Sequence, residues 1–376
     1  MKKILITGGA GFIGAHLARE LVTHGYAVRA LDNLSPQVHG AGAREERRRP
    51  SYLDDAVELQ VGDVRDPDAV RRALDGVDAV YHLAAIVGVG QSMYQIAEYT
   101  SVNNLGTAVL LEEMVKRRSL TRLVVASSMS VYGEGYFTDA GGRLVSGVER
   151  TMEQLAGSQW EMRGEDGGTL TPIPTGEDKT PSLASVYALS KYDQERLCLV
   201  TMRAYGRSAV ALRLFNTYGL DQALSNPYTG VLAIFASRLV NGKPPLINED
   251  GLQRRDFVSV RDVARAFVLA LEVPGADGQV FNIGSGRVYS VLDVARLMAE
   301  MVSGGRIKPE VTGKYRMGDI RHCFPDISRA EKLLGYRPEV TLEAGLSELC
   351  DWLRGQVAVD RVEEARAELA ARGLAL

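Results

Sequence analysis

Tyr187 and Lys191 stand four residues apart in the run Ser185-Val186-Tyr187-Ala188-Leu189-Ser190-Lys191. Leu197, Leu199 and Val200 continue the run with helical spacing, and residues four apart lie on one face of a helix. An ammonium held beside a phenol favours the phenolate, so the pair predicts a tyrosine base working well below the ordinary phenol value of about 10. The spacing by itself does not assign this chemistry. Its surroundings have to.

The first surrounding element is a short apolar strand over residues 3–7, which runs into Gly8-Gly9-Ala10-Gly11-Phe12-Ile13-Gly14 before Leu17, Leu21 and Val22 take helical spacing. Glycines at 8, 11 and 14 let the backbone turn tightly and approach a pyrophosphate, while the helix start offers free N–H groups and the positive end of its dipole. A bare glycine repeat also suits a flexible loop. Its place between a strand and a helix is what predicts dinucleotide binding. A second strand, residues 27–31, ends in Asp32 about 20 residues beyond the turn, where a carboxylate can accept from both ribose hydroxyls and repel a 2′-phosphate. Because Asn33 follows, a plain turn aspartate is the alternative for Asp32. The expected cofactor is NAD rather than NADP.

Further strands are expected at residues 57–61, leading to Gly62-Asp63-Val64, and at 77–83, leading to Ala84-Ala85 and a glycine-bearing loop at 86–90. Helical stretches at 92–99 and 103–117 come next. The strand at 123–126 then delivers Ser127-Ser128-Met129-Ser130. Strand alternating with helix predicts an α/β fold, a parallel doubly wound sheet that binds ligands at the C-terminal ends of its strands. Residues 134–182 break the pattern with Gly, Pro, Thr and charge, too long for an ordinary connection, and read as an inserted flap or partly mobile excursion pinned by Trp160. A strand at 208–215 follows the Tyr187 helix. Helices at 231–240, 260–271, 291–302 and 342–353 then suggest a smaller lobe. The expected division is residues 1–220 for the cofactor domain, 221–356 for a mainly substrate-binding lobe and 357–376 for a helical extension, exposed or partner-binding.

The chain has 376 residues, 45% of them hydrophobic, enough for a large core. A net charge of −3 gives no long-range pull toward nucleic acid or an anionic membrane, and the basic cluster at 44–49 reads as a solvated loop, with phosphate contact as its alternative. Cys198, Cys323 and Cys350 form no C-x-x-C pair, so neither a disulfide framework nor a metal site is expected. Glycines 8 and 9 end the first apolar run too early for a signal peptide, and no run approaches the roughly 18 apolar residues of a membrane span. A soluble, cytoplasmic protein is expected.

Taken together, the motifs resemble the extended short-chain dehydrogenase/reductase family, in particular its NAD-dependent nucleotide-sugar epimerases and dehydratases. The resemblance runs from Lys3 to about Arg354 and rests on G-G-A-G-F-I-G at 8–14, Asp32-Asn33, Gly62-Asp63-Val64, His82-Leu83-Ala84-Ala85, Asn103, S-S-M-S-V-Y-G at 127–133, Tyr187 with Lys191, R-L-F-N at 213–216 and R-R-D-F-V at 254–258. It implies a Rossmann-type domain with a smaller C-terminal lobe. Tyr187 would remove a sugar hydroxyl proton, Lys191 would tune it and hold the nicotinamide ribose, and Ser128 would hydrogen-bond the same oxygen, with Ser127 and Ser130 as near alternatives. By the same resemblance Gly8, Gly11, Phe12, Ile13, Gly14, Asp32, Asn33, Asp63, Val64, Leu83, Ala84, Ala85, Asn103 and Phe215 join Tyr187 and Lys191 around the cofactor. Asn216, Val231, Arg255, Arg316 and Asp319 join Ser128 and Tyr187 around the substrate, the arginines on its diphosphate.

Dehydratases of this family carry Asp-Glu after the serine, and sugar-acid decarboxylases a Glu at the second place, where this chain has Met129 and Ser130. That favours a 4-epimerase. Tyr228-Thr229-Gly230 and Gly318-Asp319-Ile320-Arg321-His322-Cys323 resemble the deoxysugar nucleotide 4-epimerases of the dTDP-L-rhamnose type, although the cysteine pairs that some of them carry in the insert are missing from residues 160–169. Val87 stands where UDP-galactose 4-epimerases place a lysine. A UDP-glucuronate-type 4-epimerase, a nucleotide-sugar 4-ketoreductase and a non-catalytic NAD-sensing module are the competing readings. Relatives commonly pair through the helices here at about 103–117 and 185–205, and Val109, Leu110, Met114, Leu197, Val200 and Met202 predict a homodimer.

Overall fold

The computed structural model describes residues 2–316 and 318–375. Seven parallel strands form its central sheet: β1 (Lys3–Thr7), β2 (Ala27–Asp32), β3 (Glu58–Val61), β4 (Ala79–His82), β5 (Arg122–Ser128), β6 (Ser208–Leu214) and β7 (Val280–Ile283), in the spatial order β7-β6-β5-β4-β1-β2-β3. Ile4 faces Val28 on one side and Ala79 on the other, which fixes the register at the centre of the sheet. Successive strand side chains point to opposite faces. Ile4 and Ile6 therefore enter one core with Leu17 and Leu21 of α1 (Phe12–Thr23), and Leu5 enters a second, across the sheet.

That second core collects Val70 from α2 (Pro67–Ala73), Leu110 and Met114 from α3 (Gly106–Val115), and Cys198 and Met202 from α4 (Val186–Ala204). Leu110, Met114 and Met202 are thus core residues rather than interface candidates, since the sheet needs that apolar stripe. The exposed apolar residues of these helices and their approach are Leu105, Leu189, Leu197 and Val200. The expected helix at 103–117 begins as a wider π-helical stretch, Thr100–Leu105, which carries Asn103 before α3 proper starts.

The 221–356 segment does not remain in one lobe. α5 (Val231–Val240), α7 (Val291–Ser303) and α8 (Leu342–Leu353) enclose a third core with Phe235, Met298 and Leu346. Between them α6 (Val260–Glu272) packs Val263, Ala266 and Phe267 onto the first core, and β7 closes the edge of the central sheet beside β6. A boundary at residue 220 therefore leaves the last sheet strand on the wrong side. Four residues of β7, short and without an alternating pattern, gave no signal for it in the chain.

The insert is a folded unit. Tyr136–Thr138 pairs antiparallel with both Leu144–Val145 and Thr171–Ile173, over a small core of Phe137, Met162 and Leu170. Trp160 packs its ring 6.0 Å from that of Tyr315, and Arg150 bonds Glu249 at 2.7 Å. The extension forms α9 (Val362–Ala371), which is docked rather than free: Ala365 and Leu369 are buried. Among the described residues, no helix is long and apolar enough to cross a membrane. The three cysteines are free and buried.

Candidate active site

The C-terminal ends of β1, β2, β4, β5 and β6 open into one cleft of about 430 Å³. Its floor begins at the glycine turn. Gly8 sits at φ +70°, where a side chain is strained, and a Cβ on Gly14 would stand 2.3 Å from the Gly8 carbonyl oxygen, so this turn closes only with glycine at both places. α1 starts directly from that turn, its N-cap Gly11 offering no side chain to the first-turn N–H groups. Those donors are left for an anion at the cleft. Asp32, at the tip of β2, accepts from the Ala10 and Leu34 amides at 3.0 and 2.9 Å and still lines the cleft. A glycine cradle, an uncapped helix start and a fixed carboxylate fit a dinucleotide with a free ribose.

Of the residues expected around the cofactor, Gly8, Gly11, Phe12, Ile13, Gly14, Asp32, Asn33, Val64, Leu83, Ala84, Ala85, Phe215, Tyr187 and Lys191 all line this cleft, together with Ser128. Asp63 and Asn103 lie outside this lining, and each is engaged by neighbouring residues. Asp63 is held by Arg65 and by Asn33, and the Arg65 and Asn33 hydrogen bonds outweigh its partial burial and bring its carboxyl down to about 2. Asn103 accepts from the Ile86 amide at 2.8 Å, donates to the Ile86 carbonyl at 3.1 Å and to Ser190 at 2.9 Å. It thereby clamps the loop after β4 to α4.

Tyr187 lies in the first turn of α4, whose N-cap Ser185 accepts from the Ala188 amide. Its own amide donates to the buried Ser92 hydroxyl at 3.0 Å, and its ring meets Tyr99 edge-on at 6.4 Å. Burial raises the phenol above its ordinary value, with the Ser128 hydroxyl pulling the other way. This corrects the expectation of a phenol lowered by Lys191. The ammonium is turned to Gln194, donating to Oε1 at 2.6 Å, and burial brings it down to about 8. Gln194 in turn donates to the Ala84 carbonyl at 3.2 Å and the Thr107 hydroxyl at 2.9 Å, and its Nε2 lies 3.2 Å from His82. His82, which burial keeps neutral with a value of about 3, also meets Thr7 at 2.7 Å. Sequence reasoning gave Gln194 no role, yet its position three residues after Lys191 on a helix was the available signal.

A buried brace fixes Ser128 against α4. Arg213 of β6 holds Glu195 of α4 through two bonds of 2.9 and 2.8 Å, and the Ser127 hydroxyl donates to the same carboxylate at 2.7 Å. Three elements are thus tied one residue from Ser128. The Ser130 hydroxyl bonds that of Ser128 at 2.9 Å and the Ser130 amide does so at 3.2 Å, which leaves the Ser128 proton free to point toward Tyr187.

Of the expected substrate residues, Ser128 and Tyr187 belong to this lining, and the others lie apart from it. The Asn216 Oδ1 is buried without a hydrogen-bond partner among the described residues, an acceptor of the kind a ligand satisfies. Arg255 bonds the carbonyls of Arg254, Ile320 and Arg321, and Arg316 pairs with Asp319. Val231 opens α5 immediately after Gly230, which does line the cleft. Gln222, Asn226 and Thr229 at the same mouth were not expected from the sequence; their loop has no periodicity to mark it.

The family model described as NAD dependent epimerase/dehydratase family matches residues 4–151 and 156–284. A dTDP-L-rhamnose 4-epimerase from Burkholderia thailandensis is 38% identical over 357 residues, 94% of this chain and 95% of its own. Among solved structures, a UDP-glucose 4-epimerase from Thermotoga maritima superposes with a TM-score of 0.75 at 30% identity, covering 94% of this chain and 98% of its own. A UDP-glucuronic acid 4-epimerase from Bacillus cereus, solved with NAD, gives 0.74 at 29% identity, covering 94% and 99%. With the cleft built as a dinucleotide site and the serine, tyrosine and lysine gathered at its end, this chain is an enzyme of the NAD-dependent epimerase/dehydratase family, with NAD as its cofactor.

Proposed function

We propose that the protein is a nucleoside-diphosphate-sugar 4-epimerase acting on a dTDP-deoxysugar. The observation that carries this reading is the catalytic end of the cleft. Tyr187, Lys191 and Ser128 line it together, while the two places after Ser128 hold Met129, which is buried, and Ser130, whose hydroxyl is spent on Ser128. Elimination or decarboxylation needs a further acid or base there. Oxidation and re-reduction at one carbon does not.

NAD, when bound, would supply the hydride acceptor for C4 and, after the 4-keto sugar has turned over in the cleft, the hydride donor to its opposite face. Tyr187 takes the C4 hydroxyl proton as the carbonyl forms and gives it back as the hydride returns. Ser128, its own oxygen held from behind by Ser130, donates to that same oxygen. Lys191 offers donors to a ribose, and the clamp of Asn103 holds the Ile86 loop in place along the cleft wall. Asn216, Val231, Arg255, Arg316 and Asp319 are proposed to hold the nucleotide and sugar of the substrate. Similarity to the Burkholderia enzyme supports the deoxysugar, and similarity to the Bacillus enzyme supports UDP-glucuronate as the second reading.

The test is incubation of the protein with a panel of nucleotide sugars, including dTDP-6-deoxysugars and UDP-glucuronate, with C4 stereochemistry followed by NMR. A C4 epimer formed without added coenzyme is expected. A stable keto product with stoichiometric NADH and no epimer would overturn the proposal. We also propose a homodimer through α3 and α4, supported by the exposed Leu105, Leu189, Leu197 and Val200. Sedimentation at micromolar concentration giving only a 41 kDa species would exclude it.

A further inference from the structure

A buried polar group without a partner is costly, so an unpaired acceptor in the wall of a ligand cleft points to what the ligand brings. Among the described residues, the Oε1 of Gln222 is the one buried side-chain atom that lacks a hydrogen-bond partner and belongs to a residue lining the cleft. Gln222 is 7% exposed. Its amide is held at the other end, where Nε2 donates to the Thr229 hydroxyl at 3.4 Å.

The loop that carries Gln222 is fastened near the glycine turn and Asp32. It begins at Gly219, where a Cβ would stand 3.5 Å from the Phe12 ring, and the Leu220 carbonyl then accepts from the His16 Nε2 of α1 at 3.1 Å. Beyond Gln222, the Asn226 Oδ1 accepts from Gln37 at 3.0 Å, and Gln37, which follows Asp32 closely in the chain, lines the same cleft. Gln37 also exchanges bonds of 3.0 and 3.3 Å with Gln91, from the segment after β4. Three segments are thereby joined at the cleft mouth. In a dinucleotide fold the pyrophosphate rests on the glycine turn and helix start, and the strand-end carboxylate takes the ribose beside it. Phosphate oxygens only accept, so they would repel an unpaired amide oxygen. Ribose hydroxyls donate, and they are the donors that this part of the ligand carries.

We infer that Gln222 is a cofactor-binding residue whose amide oxygen accepts a hydrogen bond from a hydroxyl of the adenosine ribose of NAD. The loop after β6 thus adds a second acceptor to the one that Asp32 offers from β2, and the Asn226–Gln37 bond holds that loop against the residues following Asp32.

Equilibrium competition tests the assignment. The NAD-loaded full chain is dialysed against NAD analogues that lack the 2′- or the 3′-hydroxyl of the adenosine ribose, for the wild type, Gln222→Met and Gln222→Glu, and bound NAD and analogue are quantified by mass spectrometry. The wild type is expected to prefer NAD over both analogues. In Gln222→Met the preference over one of them should shrink roughly 3- to 10-fold, the worth of one neutral hydrogen bond. Asp32 contributes to the same preferences in every variant, so the change reports Gln222 alone. Gln222→Glu keeps an acceptor at the same place and should keep the wild-type preference. A glutamine that only shapes its loop, or that is satisfied by water, would leave both preferences unchanged in Gln222→Met even where NAD itself binds less tightly, and that result overturns the inference. Gln222→Ala gives the same comparison should the methionine variant fail to fold, and unchanged preferences there overturn it equally.

Discussion

Two buried cations in this molecule meet the same physical problem in opposite ways. Lys191, at the catalytic end of the cleft, donates to a neutral partner among the described residues, an amide oxygen at 2.6 Å, with the neutral His82 behind it. Arg321, beneath the insert, has no exposed side-chain surface and is surrounded by Glu249, Asp250 and Glu161, with bonds of 2.9 and 2.6 Å to the first two. Burial pushes both downward. For Lys191 it prevails and leaves the group at about 8, whereas the Asp250 and Glu161 hydrogen bonds hold Arg321 above its ordinary value. A site built for architecture neutralises its charge and locks it. A site built for chemistry leaves the charge poorly paired, at the expense of stability, so that it responds to what binds.

The largest expected effect on the chemical side belongs to Tyr187→Phe, which keeps the ring and its edge contact with Tyr99 while removing the ionisable oxygen. Single-turnover rates should fall roughly 10²- to 10⁴-fold with the fold and NAD binding retained. A destabilised variant with a near-normal rate would mean that the hydroxyl is structural.

Arg321→Met probes the architectural side. It leaves Asp250 without an ion pair among the described residues and takes one from Glu249 and Glu161, which keep Arg150 and His322, and a loss of about 3 kcal/mol in urea unfolding is expected. Glu161, which hydrogen bonds from His322 and then Arg321 bring down to about 2, should titrate at higher pH in the variant. An unchanged unfolding midpoint would erase the contrast between the two sites.

Lys191→Met should do the reverse. The folded value of about 8 lies below the ordinary 10.5, so the folded chain binds fewer protons than the unfolded chain between those values, and stability rises with pH across that window. Below pH 8 the full penalty is present. Replacing Lys191 is therefore expected to stabilise the fold at pH 7 by up to about 3 kcal/mol, with the gain fading toward pH 10.5, while turnover and cofactor affinity drop. Unfolding curves at pH 7 and pH 10 test the sign; a destabilised variant at pH 7 would show that the Gln194 bond outweighs desolvation.

The smallest effect is expected from Ser130→Ala. It removes a hydroxyl bond to Ser128 but leaves the Ser130 amide donor in place, so the rate should fall only a few-fold. A loss as large as that of Tyr187→Phe would assign Ser130 direct contact with the substrate.

The chain itself determined the cofactor half. Strand, glycine turn, helix start and strand-end carboxylate are local patterns, set by backbone sterics and by periodicities of two and 3.6, and the Gly8–Gly14 turn and Asp32 lie where those rules put them. The pairing of Tyr187 with Lys191 on one helix face was legible for the same reason. What Lys191 does there was not, because its value depends on Gln194, His82 and complete burial, which arise only when α4 packs on the sheet. Tertiary structure also decided that β7, from the far side of the small lobe, completes the sheet, and that the insert is a small antiparallel sheet locked by Arg321. It placed Arg366 of the last helix beside Asn248, 118 residues earlier in the chain. Contacts of that separation carry no local pattern: they are selected by burial and charge pairing across the folded molecule, so only the assembled chain expresses them.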